Sequence, residues 1–103
     1  MNMDCEYYKY HIQEELDGAK DYAKAALELK ATNPSWSNTF LTMCTQELAH
    51  AKNFYDMFNE YYSNAVKPYK EVPKYFRDMK EEIMDMYTEC ASKVKWIQDQ
   101  FTK

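Results

Sequence analysis

Thr32-Asn33-Pro34-Ser35 is the stretch that decides the fold. Asn33 is an N-cap residue, and Pro34 follows at the first helical position, where the missing N–H costs nothing. A helix therefore starts here, immediately after another has ended. Working outward, the next break lies between Asn64 and Pro73, where Lys67-Pro68 and Val72-Pro73 each bias the residue before proline away from helix. The spacing predicts three helices, about 4–31, about 34–65 and about 73–102. The first connection is so short that the first two helices must run antiparallel as a hairpin, with the third packed on the pair.

Composition agrees with an all-α chain. One Gly and three Pro leave almost none of the turn residues that a sandwich, barrel or Rossmann-type fold needs. At 103 residues the chain is too short for two cores, so 1–103 is expected to be one domain. With 46% hydrophobic and 29% charged residues and a mean hydropathy of −0.81, it reads as a soluble domain with a rich core. The net charge of −4, without a dense basic cluster, argues against nucleic acid. No apolar run approaches the roughly 20 residues that span a bilayer. Acidic residues in Met1–Tyr10 stand where a signal peptide would be apolar, so a cytoplasmic protein is expected. Cys5, Cys44 and Cys90 are odd in number and far apart, which fits buried reduced thiols rather than a disulfide framework or zinc knuckle.

The apolar periodicity carries an anomaly. The first helix has a seam through Tyr8, Ile12, Glu15, Ala19, Tyr22, Ala26 and Leu29. The second has one through Trp36, Phe40, Met43, Glu47, His50, Phe54, Met57 and Tyr61. Two carboxylates and an imidazole thus interrupt apolar lines. The third helix repeats the spacing through Phe76, Met79, Ile83, Met86 and Cys90, then slips by one residue to Val94, Ile97 and Phe101, with its acidic residues on the flanks.

A desolvated charge must be paired, hydrogen-bonded or bound to a metal. Glu47-Leu48-Ala49-His50 is a Glu-x-x-His, whose i, i+3 spacing puts carboxylate and imidazole on one helical face, as in di-iron and di-manganese bundles. Alone the motif is weak, because with ten Glu in the chain it arises by chance roughly one time in five. The levels of the residues strengthen it. Measured from the hairpin turn at about 1.5 Å per residue, Glu15 lies about 22 Å along, and Glu47 and His50 about 20 and 24 Å. All three are expected to meet at one height, as ligands of a metal ion. Carboxylate oxygens with one imidazole suit iron first and manganese second, rather than thiolate-rich structural zinc.

Glu14-Glu15-Leu16-Asp17-Gly18-Ala19-Lys20-Asp21-Tyr22-Ala23, with Gln46-Glu47-Leu48-Ala49-His50-Ala51, resembles the first helical hairpin of the ferritin-like and rubrerythrin-like superfamily. The resemblance covers the first two helices. It implies Glu15 as a ligand, Glu47 as a carboxylate bridging two irons, His50 as a ligand of one iron, and Tyr22 near the site in a catalytic role. The third helix departs from the family pattern, since it holds no histidine and no second Glu-x-x-His. One chain would hold half a site. Two copies about a two-fold axis would supply four carboxylates and two imidazoles, as in short, dimer-built proteins similar to the encapsulated ferritins. Oxidation of Fe(II), or consumption of oxygen or peroxide, is the chemistry so implied. The chain ends at Thr102-Lys103 without a capsid-targeting tail, so loading into a shell is not expected.

Several positions keep alternatives. Glu14 competes with Glu15, although the seam passes through Glu15. His11 reads as a solvent-exposed residue or an additional ligand, and Glu82 and Glu89 as solvated flank residues or shell members. Gly18, the only glycine, costs about 1 kcal/mol relative to Ala in mid-helix and suggests close approach of another helix. A reading from a different class is a metal-free helical scaffold or virion-associated interaction module, with its seam polar groups paired to each other.

Overall fold

The computed structural model describes residues 2–102, and among these there are three α-helices and no strand: α1 (Cys5–Leu29), α2 (Pro34–Val66) and α3 (Lys74–Asp99). Asp4 caps α1, its carboxylate accepting from the Tyr7 N–H at 3.1 Å. At the other end the Lys30 N–H turns to the Leu27 carbonyl and the Asn33 N–H to that of Leu29, so α1 stops before 31. Asn33 Oδ1 accepts from the Trp36 N–H at 3.2 Å and Pro34 opens α2. Pro73 caps α3 rather than beginning it. The N–H groups of Gln100 and Phe101 fold back onto Ile97 and Gln98, which ends α3 short of 102.

α1 and α2 form the antiparallel hairpin. Ala19, Ala23 and Ala26 are fully buried on α1, with Cys5, Ile12 and Leu16 on the same side. On α2 the buried line is Ser37, Cys44, Ala51, Phe58 and Tyr62. This corrects the expected seam, which lies one position away: Trp36, His50 and Met57 are exposed, and Phe40, Met43, Glu47, Phe54 and Tyr61 are half-buried. Likewise Leu16 and Ala23 take the core places expected for Glu15 and Tyr22, which are half-buried. Periodicity marks which face is apolar; the neighbouring helix decides which edge of that face is covered.

α3 follows its expected line, burying Met79, Ile83, Cys90, Val94 and Ile97. It is fixed to one face of the hairpin. Cys90 Sγ donates to the Leu16 carbonyl, Gln98 Nε2 donates to Thr45 Oγ1, Lys9 pairs with Glu82 at 2.6 Å, and Tyr87 stacks on Tyr55 with ring centroids 4.3 Å apart. At about 100° per residue, Leu16 and Lys9 stand about a third of a turn round α1 from Glu15, so the interrupted seam of α1 lies to the side of α3. The chain is a slab of 56 × 27 × 15 Å. Its radius of gyration, 16.4 Å, exceeds the roughly 13 Å of a compact domain of this size.

Candidate metal centre

The middle of α1 presents Glu15, and the middle of α2 presents Glu47 and His50 one turn apart. The structure brings these three together. Each offers one ligand atom, and the three atoms lie within 4.8 Å of one another. His50 Nδ1 is 3.5 Å from Glu15 Oε2, and the imidazole is 56% exposed while the Glu15 side chain is 21% exposed. The group is therefore walled on the hairpin side and open on the other.

The two carboxylates are close enough to compete for a proton. A hydrogen bond with Glu15 pushes the Glu47 carboxyl above the usual range, helped by partial burial and the Glu15 charge, while His50 pulls it down. A cation between these oxygens would relieve their mutual repulsion. Two carboxylates and one imidazole form a donor set that fits iron or manganese, and no thiolate belongs to it.

Gly18 lies one turn along α1 from Glu15, beside the same carboxylate. A Cβ built on it would stand 2.9 Å from Glu47 Oε2. The close approach expected at this glycine is thus made by a side chain of α2. Tyr22 stands two turns from Glu15, about 10 Å along the axis, its ring 6.0 Å from that of Phe40.

Other candidates fall elsewhere. His11 is held among rings rather than exposed, stacked on Phe54 at 4.9 Å and tilted against Tyr7 at 4.4 Å. Glu14 is exposed. Glu82 is taken by Lys9, and Glu89 by Lys93 at 3.4 Å. The three cysteines are free and buried. Sequence reasoning missed the Phe54–His11 wall one turn from the group on each helix. The aromatic at the seam position after His50 was its only signal.

The rubrerythrin model matches residues 6–100. The chain belongs to the rubrerythrin family. The match runs through all three helices, further than the hairpin resemblance reached, and it makes the fold ferritin-like. Rubrerythrins generally bind iron, which agrees with the donor set found between α1 and α2 of this family member. No curated protein and no solved structure matches the chain. Among its described residues, no helix of this rubrerythrin-family protein is long and apolar enough to cross a membrane.

Proposed function

We propose that this rubrerythrin-family chain binds a di-iron centre shared between two copies, each supplying Glu15, Glu47 and His50, and acts as a ferroxidase-type or peroxide-consuming oxidoreductase in the cytoplasm. The observation that carries the reading is the group of Glu15, Glu47 and His50 on a solvent-facing side of the hairpin. One imidazole and two carboxylates cannot complete two metal coordination shells; a two-fold copy doubles the set to four carboxylates and two imidazoles. The exposed Trp36 and Met57 and the extended shape support a second copy on this face. Free, buried thiols fit a reducing compartment.

Iron held there would supply one-electron oxidation of itself by oxygen or peroxide, with manganese as the alternative ion. The protein's part follows from its own groups. Glu15 and Glu47 would serve as paired carboxylate acceptors, with Glu47 as the bridging candidate. His50 offers a ring nitrogen, and its exposure leaves a way in for small reactants until a second copy closes the face. Tyr22, two turns along the same face of α1 from Glu15, is the phenol proposed for a catalytic role.

Elemental analysis of the untagged protein after anaerobic Fe(II) loading, with its mass in solution, tests this. About one iron per chain in a dimer is expected on this stoichiometry. A metal-loaded monomer would remove the shared site, and absence of metal would leave a helical scaffold that binds another protein.

A further inference from the structure

We propose that Gly18 is a positioning residue of this centre: its bare Cα is the slot in which the Glu47 carboxylate lies, and the slot sets where that carboxylate meets a cation. The proposal rests on the metal reading above. Gly18 is the only glycine in the chain and sits in the interior of α1, where glycine weakens a helix. Conformation does not require it, since no described residue, Gly18 included, has a positive φ. Space does. A Cβ there would stand 2.9 Å from Glu47 Oε2, 3.4 Å from its Cδ and 3.6 Å from its Cγ.

The identity of the colliding atom matters. It is the far end of a flexible side chain, and no backbone atom of α2 is among the nearest neighbours. A methyl at this position leaves the α1–α2 spacing alone and displaces the carboxylate oxygen. The same residue belongs with Glu15 and His50 to the group whose ligand atoms lie within 4.8 Å of one another, so displacing its carboxylate pulls that group apart. A glycine kept for helix packing would behave in the opposite way: its replacement would loosen the fold and leave the site intact.

The test uses the whole chain and two readouts, anaerobic Fe(II) affinity and metal-free thermal unfolding. Gly18→Ala is expected to weaken Fe(II) binding about 10- to 100-fold, the usual scale for partners that orient a ligand. Its metal-free midpoint should be unchanged or higher, because alanine favours helix. Glu47→Asp, with a carboxylate drawn back by one methylene, should cost less Fe(II) affinity in the Gly18→Ala background than alone. Unchanged affinity in Gly18→Ala overturns the proposal, and so does a lowered metal-free midpoint with an additive double variant. Wild-type protein that binds no Fe(II) sinks the metal reading itself, and this inference with it.

Discussion

Glu15 on α1 and Glu47 on α2 meet across the hairpin, each offering a carboxylate oxygen to one group whose ligand atoms lie within 4.8 Å of one another. Like charges this close ionise together only at a cost. A divalent cation would remove that cost, with His50 as the third proposed ligand.

Truncation of the ligands should therefore separate the centre from its surroundings. Glu47→Ala and His50→Ala are expected to abolish tight Fe(II) binding, whereas Lys20→Ala, on the α3 side of α1, should retain it. Equal metal content in all three purified variants would refute the site.

The open hairpin face should behave as an interface. Trp36→Glu and Met57→Glu change two exposed residues on it, 63% and 43% accessible. A charge there should lower self-association and metal loading together while helix content stays the same. Light scattering that finds the same mass for both variants and wild type would rule this face out.

Ser37 is the buried polar residue of the core, and its hydroxyl donates to the Ala26 carbonyl at 2.5 Å, near the end of α1. Ser37→Ala leaves that carbonyl without its partner away from water. A loss of about 1–3 kcal/mol is expected in urea unfolding. Phe58→Ala, by contrast, empties the largest fully buried side-chain volume and should cost about 3–5 kcal/mol. If the two variants unfold like wild type, the α1–α2 packing described above is wrong.

Alkaline pH should weaken the fold. Burial pushes the Cys5, Cys44 and Cys90 thiols upward, and the neighbouring Cys90 adds to the rise at Cys44. Burial does the same to the Tyr61 and Tyr87 phenols. Each folded value lies above its unfolded one, so the contribution is intact below the unfolded range. It is lost as pH rises from about 8.5, where the unfolded thiols ionise first. Urea midpoints should fall between about pH 7.5 and 9.5 and fall less in Cys44→Ala. A flat profile would contradict the burial of these groups.

The sequence by itself determined the elements and the ligand types. Asn33-Pro34 and the prolines at 68 and 73 act through local dihedral and capping limits, so the breaks needed no tertiary context. Glu15, Glu47 and His50 were legible because a helix fixes angle and rise along its own axis, which set both their faces and their common level. The α3 line was legible for the same reason. Tertiary structure decided what covers each face. Burial of Ser37, Cys44, Ala51 and Phe58 in place of their seam neighbours depends on where α1 and α3 sit, which no periodicity within α2 specifies. His11 against Phe54 and the Glu47 carboxylate in the space above Gly18 are contacts between helices. Covalent geometry fixes the first kind of fact, and packing between elements fixes the second.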